Sequence, residues 1–332
     1  MDIFSHALLP YLLGNFFRLN EKLIAAFVLG GIAPDLDLLV VWINYFYPTS
    51  LLIVHRGFTH TFLFGLFTVL IVLYLASRTP VKSSIQRFVD FDLDFSLPYI
   101  AITFAGLISH LVLDFLTTRG VPLFYPWNNV RYSAEIFFQT ETIIMIASLV
   151  VLAELFREKQ SKDRSPTISK RNLLVIFLAF FILVGAIRIE GKETTQSFFS
   201  NENAKFYPDS GLFQWVVLED NLDRFHVYEF NSLLGETEHS STFFRISIPS
   251  DVEGSWKAIE EAEKLSQVKL FRWRAYTVAI NASFQDGLWY LEYYDLIVKT
   301  EMVDTWPILQ MAMKSYGSLR LKVDGEKATV IE

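Results

Sequence analysis

Apolar residues dominate the first 190 positions of the chain, and after them the pattern changes to short alternations of apolar and polar residues. Hydropathy divides the first part into five or six stretches, about 3–18, 22–46, 60–77, 98–117, 134–156 and 172–188. Most approach the roughly 20 helical residues that cross a hydrocarbon layer of about 30 Å. The first is short, and the second is broken at Gly30-Gly31-Ile32-Ala33-Pro34, so either also fits a re-entrant segment whose freed backbone groups are satisfied by neighbouring protein or water. From Glu190 a polar run introduces the alternation expected of half-buried strands, at 214–219, 224–231, 241–248, 274–283, 287–299, 318–323 and 327–331. Asp286-Gly287 and Asp324-Gly325 suit hairpin turns, and Ser255–Ala262 reads as a capped helix. The pattern therefore predicts an α-helical polytopic membrane domain over 1–189, with five or six segments, followed by a soluble α+β domain over 190–332.

Charge adds an orientation. Arg18 and Lys22, then Arg78, Lys82 and Arg87, then the basic residues between Arg157 and Arg171 fall in alternate loops, whereas the intervening loops carry only Arg56, Arg119 and Arg131. Lys and Arg in short loops favour the cytoplasmic side. Six crossings would then place both termini, and the C-terminal domain, outside the cytoplasm of a multi-pass cell-membrane protein. The N-terminus has no basic region of the kind that precedes a cleaved signal, so His6 is expected to persist. A formal net charge of -7 provides no basic field for nucleic acid. The absence of cysteine excludes thiolate ligation and leaves His, Asp and Glu to hold any metal.

Four of the six histidines fall within the first 110 residues, where ionisable groups are costly unless they face one another or a polar cavity. Ser5-His6 opens an apolar helix; alone, His6 reads as readily as an interfacial residue. Pro34-Asp35-Leu36-Asp37 follows the Gly-Gly break. Asp35 can serve as a helix cap, but a cap leaves Asp37 unexplained, and two acids in a broken membrane segment favour cation binding. In His55-Arg56-Gly57-Phe58-Thr59-His60, a turn at Gly57 lets both imidazoles point inward, and Arg56 provides a planar cation suited to phosphate or carboxylate; the alternative leaves His55 and Arg56 solvent-facing. Finally, His110 and Asp114 stand at i and i+4 on one helical face, where both can ligate one metal or the carboxylate can orient the imidazole. His226 and His239 lie in strand-like contexts and carry no assigned chemistry, while Glu141 reads as a helix cap or an approach to the metal site.

The ordered set Ser-His, Pro-Asp-x-Asp, His-Arg-Gly-x-Thr-His and His-x-x-x-Asp-x-x-Thr-x-x-Gly resembles the YdjM-like family of membrane-bound metal-dependent hydrolases, of the LexA-binding, inner membrane-associated type. Its His/Asp order is also similar to that of the zinc-dependent phospholipase C and nuclease fold. The motifs cover about residues 1–135; Thr61 stands where the family pattern has Ser, and the region beyond about 190 lies outside it. The resemblance implies His6, Asp35 or Asp37, His60, His110 and Asp114 as metal ligands, with His55 a further candidate from its place beside them. Imidazole and carboxylate suit zinc first, with manganese or iron as alternatives, and the ligand number allows one or two divalent ions. An open coordination position would lower the pKa of a bound water to about 7. Asp37, if not a ligand, is a candidate general base, and Arg56 a candidate for neutralising phosphate charge.

The expected function is metal-dependent hydrolysis of a phosphoester or lipid-linked substrate at the bilayer. Its competitors are a cation-binding transporter and a non-catalytic scaffold with a structural metal. A transporter would usually show matching broken segments in two halves, and one break is visible. The sequence names no protein partner for the C-terminal domain.

Overall fold

The computed structural model describes residues 1–39, 55–85, 92–160, 168–248, 254–301 and 317–331. The chain separates into a unit of Met1–Glu190 with Ser210–Leu212, and a unit of Gly191–Asp209 with Phe213–Glu332.

The first unit is helical: α1 (Ile3–Phe16), α2 (Glu21–Ile32), α3 (Phe62–Ser77), α4 (Thr79–Ile85), α5 (Leu97–Phe115), α6 (Thr142–Gln160) and α7 (Lys170–Phe198), the last continuing into the second unit. Short side chains begin several of them. Asp2 accepts from Ser5 N at the start of α1, Asn20 from Leu23 N before α2, and Thr61 from Phe64 N before α3, each occupying a backbone donor that the helix leaves unpaired. Two 3-10 turns, Pro34–Leu39 and Phe58–His60, carry the aspartate and histidine motifs.

Glycine decides how closely these helices meet. A Cβ on Gly30 of α2 would lie 1.9 Å from Thr103 O of α5, and one on Gly106 of α5 would lie 2.2 Å from Phe27 O of α2. On Gly31 it would lie 2.5 Å from His6 O of α1. Backbones therefore touch where α1, α2 and α5 cross, the close approach that a residue without a side chain permits between packed helices. Leu8, Leu12, Phe137, Ile144 and Phe177 fill one core beside this crossing, and Ala33, Val69, Leu107 and Leu111 another.

Five or six membrane segments are not supported. Among the described residues, two helices are long and apolar enough to cross a membrane, α5 and α7. The reasons are local. The helices α1 and α2 have 14 and 12 residues, and α3, with 16, reaches only about 24 Å at 1.5 Å per residue. Although α6 has 19 residues, its last turns bear Glu154, Arg157 and Glu158. The end of the expected 22–46 segment lies outside the described residues. Without six crossings, the charge argument no longer fixes a side for either terminus.

The second unit is built on two sheets. Strands β1 (Ala204–Pro208), β2 (Gln214–Asp220), β3 (Arg224–Asn231) and β4 (Glu236–Phe244) form an antiparallel sheet in sequence order. The other sheet orders β5 (Ile246–Ser247), β6 (Val278–Gln285), β7 (Leu288–Asp295), β8 (Ser318–Asp324) and β9 (Lys327–Val330), with only β5–β6 parallel. Val216, Leu218, Phe225 and Val227 pack with Ala279, Tyr294 and Leu296 to join the sheets. Helices α8 (Ser255–Glu263) and α9 (Ser266–Arg274) lay Ala258, Ile259, Val268 and Phe271 on Ile280, Leu291 and Leu321.

Strand boundaries depart from the alternation where a polar residue serves the backbone. The 287–299 stretch ends as strand at Asp295, whose carboxylate accepts from Tyr276 N and Ile297 N and opens the helix α10 (Leu296–Glu301). The start of β4, Glu236–Ser240, is exposed at the edge of its sheet and has no apolar period to reveal it.

Candidate metal centre

Two helices and two turns bring the polar motifs together inside the helical unit. His6 projects from α1, His110 and Asp114 from α5, Asp35 and Asp37 from the 3-10 turn after α2, and His60 from the turn before α3. The rings of His6, His60 and His110 are completely buried, and the three aspartates nearly so. Gly31 is what lets α1 come close enough: any side chain there would strike the His6 carbonyl.

At the centre are four buried atoms with no hydrogen-bond partner among the described residues, Nε2 of His6, His60 and His110, and Oδ2 of Asp114. Unsatisfied buried polar atoms are rare and require a reason. His60 Nε2 lies 3.4 Å from Asp35 Oδ1 and 3.6 Å from Asp114 Oδ2. His110 Nε2 lies 3.7 Å from Asp35 Oδ1 and 3.6 Å from Asp114 Oδ2, while His6 Nε2 is 3.3 Å from Asp114 Oδ1. Ligands at about 2.0–2.1 Å around a tetrahedral ion are roughly 3.3–3.4 Å apart, close to these separations. Ligand atoms of His6, His110 and Asp114, and of Asp35, His60 and His110, fall within 4.8 Å of one another in each set. The donor set fits a divalent cation.

Neighbouring groups orient the donors. His110 Nδ1 is 2.7 Å from Gly31 O, so it carries the proton and leaves Nε2 with a lone pair directed inward. His60 Nδ1 sits 2.9 Å from Thr59 Oγ1, and that hydroxyl donates to Asp37 Oδ2 at 2.8 Å, a relay that fixes the same tautomer. His6 stacks on His110 with ring centroids 3.7 Å apart, which holds a ring that makes no hydrogen bond of its own.

Asp37 therefore stands apart from Asp35. Its Oδ1 is 2.9 Å from His55 Nδ1, and its other oxygen is occupied by Thr59. Asp37, His55 and His60 form a third set able to hold a metal, sharing His60 with the set of Asp35, His60 and His110. His55 is 32% exposed, so this side of the cluster reaches solvent.

Arg56 does not face outward. Buried to 4% exposure, it donates to Asp114 Oδ1 at 2.9 Å, Thr117 Oγ1 at 2.8 Å and Gln139 O at 3.1 Å. Asp114 Oδ1 also meets the Met1 amino group, and Thr117 Oγ1 donates to Asp114 O at 2.8 Å. One oxygen of Asp114 is thus held by cations while the other remains unpartnered. The turn between the two histidines places Arg56, not Gly57, in the left-handed region, at φ 58°. A side chain rarely adopts that backbone without tertiary support, and here three hydrogen bonds of the guanidinium supply it.

Several contributors were not legible beforehand. Thr59 and the Gly31 carbonyl orient ligands, and the sequence signal for Thr59 was its place inside the His-Arg-Gly-x-Thr-His motif. Glu141 neither caps a helix alone nor joins the cluster. It forms a bidentate, fully buried pair with Arg188 of α7, with oxygen–nitrogen distances of 2.8 and 2.9 Å, and also accepts from Phe138 N. His226 is bound to Thr242 Oγ1 at 2.9 Å and His239 is exposed on β4.

Apolar helices crossing on glycines around a buried His/Asp cluster define a helical membrane-associated protein with the means to hold a metal ion. The model of the YdjM inner membrane protein family matches residues 1–192, more than half of the 332-residue chain, and the chain belongs to that family. No curated protein and no solved structure matches it significantly.

Proposed function

We propose that this chain is a metal-dependent hydrolase of the membrane, acting on a phosphoester or lipid-linked phosphoester. The observation that carries the reading is the convergence of four buried, unpartnered ligand atoms, three of them imidazole nitrogens. His6, His60, His110 and Asp114, with Asp35, would hold the ion, zinc by the nitrogen-rich donor set, with manganese or iron as alternatives. When bound, such an ion polarises a phosphoryl oxygen and lowers the pKa of water.

The remaining residues have distinct tasks. Arg56, braced by Thr117 Oγ1, holds Asp114 Oδ1 and leaves Oδ2 for the ion. Arg56 is therefore a positioning residue in this reading, rather than a direct partner of the phosphate. Asp37 fixes His60 through Thr59 and holds His55 by its Nδ1, leaving His55 Nε2 as the nitrogen that can exchange a proton with a substrate on the open side.

Elemental analysis of the detergent-purified protein tests the site. Wild type is expected to carry stoichiometric metal that His110→Ala and Asp114→Ala lose, and to hydrolyse aryl phosphodiesters or phospholipid head groups. A well-folded wild type, purified without chelator and free of metal, would overturn the reading.

The complete burial of His6, His60 and His110 also favours a second reading, a structural ion. Asp37→Asn separates the two. It should weaken metal affinity alike in both cases, but at saturating metal lose turnover only if the cluster is catalytic.

A further inference from the structure

The helix α5 has the length and composition to cross a membrane. Its 19 residues extend about 28 Å, close to a hydrocarbon thickness of about 30 Å. Asp114 directly precedes its last residue, Phe115, and His110 lies one turn earlier. A crossing α5 therefore sets the metal centre within about a turn and a half of the boundary between hydrocarbon and head groups. Every residue of this argument belongs to the helical unit.

The chain that follows α5 forms a hydrogen-bonded tip over 122–131. Val121 N donates to Tyr132 O at 3.0 Å and Tyr132 N to Val121 O at 2.9 Å, which closes its base. Inside it, Trp127 N and Asn128 N both donate to Phe124 O, at 3.0 and 3.1 Å, and Asn128 Oδ1 accepts from Val130 N at 2.8 Å. The Arg131 guanidinium donates to Arg119 O and Gly120 O, at 2.9 and 3.0 Å. Phe62 N, just past His60, donates to Leu123 O at 3.0 Å, and Leu123 packs on Ala33, Val69, Leu107 and Leu111. The tip is thus seated beside the turn that carries His60.

This frame holds three apolar side chains outward: Phe124, Trp127 and Val130 are 46%, 76% and 53% exposed. Water opposes such an arrangement, whereas the boundary of a bilayer takes it. Tryptophan suits that boundary, its ring in the apolar layer and its N–H among head groups, and Asn128, Asn129 and Arg131 surround it with polar groups.

We propose that this tip, through Phe124, Trp127 and Val130, sits in the head-group layer and presents the metal centre to the lipids around it, so that the substrate is a membrane phospholipid rather than a dissolved phosphoester. The choice of substrate rests on the hydrolase reading; the lipid contact of the tip does not. The occupant is lipid rather than protein because a tip fixed to the end of a helix that crosses the membrane lies at the bilayer boundary by connectivity. Hydrolysis there adds the oxygen of water to phosphorus and breaks one phosphorus–oxygen ester bond, and the departing alkoxide takes a proton from that water.

The chain has no cysteine, so Trp127→Cys or Val130→Cys provides a single site for an environment-sensitive fluorophore. The full chain, in vesicles of phosphatidylethanolamine and phosphatidylglycerol, would be titrated with nitroxide on the lipid head group, nitroxide at the acyl-chain end, and aqueous iodide. The head-group nitroxide is expected to remove at least half the emission at both positions and to quench more than the chain-end nitroxide, with iodide far weaker than on the free dye. Iodide quenching equal to that of the free dye would overturn the proposal. So would labels reached by none of the three quenchers, because protein would then cover the tip. Zinc-loaded wild type would next be given the two vesicle lipids or their deacylated, water-soluble phosphodiesters. Turnover is expected to be at least tenfold faster on the lipids, and equal rates would overturn the choice of substrate. Turnover of neither would overturn the hydrolase reading and the substrate with it, while the labels would still decide where the tip lies.

Discussion

Withdrawing metal from the folded protein probes the logic of the helical unit most directly. Four buried atoms at its centre have no hydrogen bond among the described residues, and each such group costs about 1–3 kcal/mol when left unpaired, roughly 4–12 kcal/mol together. That is comparable to the whole stability of a typical domain, about 5–15 kcal/mol, so an ion held in the cluster would contribute to folding. Present at a hundredfold excess over its Kd, it stabilises by about 2.7 kcal/mol. At about 2–4 °C per kcal/mol for a unit of this size, the unfolding midpoint should fall by about 5–10 °C when the ion is removed. Scanning the detergent-solubilised protein with and without a chelator, followed by addition of zinc, measures the shift. His110→Ala, which removes one of the four atoms, should start at a lower midpoint and be insensitive to chelator. Coincident wild-type curves in all three conditions would refute the argument, because the unpartnered atoms would then be tolerated without an ion.

Other expectations follow from single contacts. Thr59→Ala removes the relay between His60 and Asp37 without touching a ligand, and metal affinity, read by competition with a chromogenic chelator, should fall about tenfold to a hundredfold. Gly106→Ala pushes a methyl group into the Phe27 carbonyl at 2.2 Å; the overpacking should cost about 1–3 kcal/mol and reduce bound metal, seen as a lower midpoint and lower metal content. Arg188→Leu leaves Glu141 buried and unpaired, at a cost of about 3–5 kcal/mol, while the double variant with Glu141→Leu should recover most of that loss in a thermal double-mutant cycle.

The sequence by itself determined the division into an apolar helical part and an alternating part, because period and hydropathy are properties of neighbouring residues. It also determined which residue types are available to hold a metal, since the chain has no cysteine and its histidines gather in the apolar part. It overcounted the membrane segments, because hydropathy sums apolar residues whether they face lipid or the core of the helical unit. Leu8 and Leu12 of α1 and Ala26 and Phe27 of α2 are buried against protein, and their helices are too short to span. Only the tertiary structure separated Asp35 from Asp37, because both occupy one 3-10 turn and their difference lies in what packs opposite: His60 and His110 for one, His55 and Thr59 for the other. Only the tertiary structure turned Arg56 inward onto Asp114 and paired Glu141 with Arg188. Each of those contacts joins residues 47 or more positions apart, and a local pattern carries no record of a partner that the fold supplies from a distant helix.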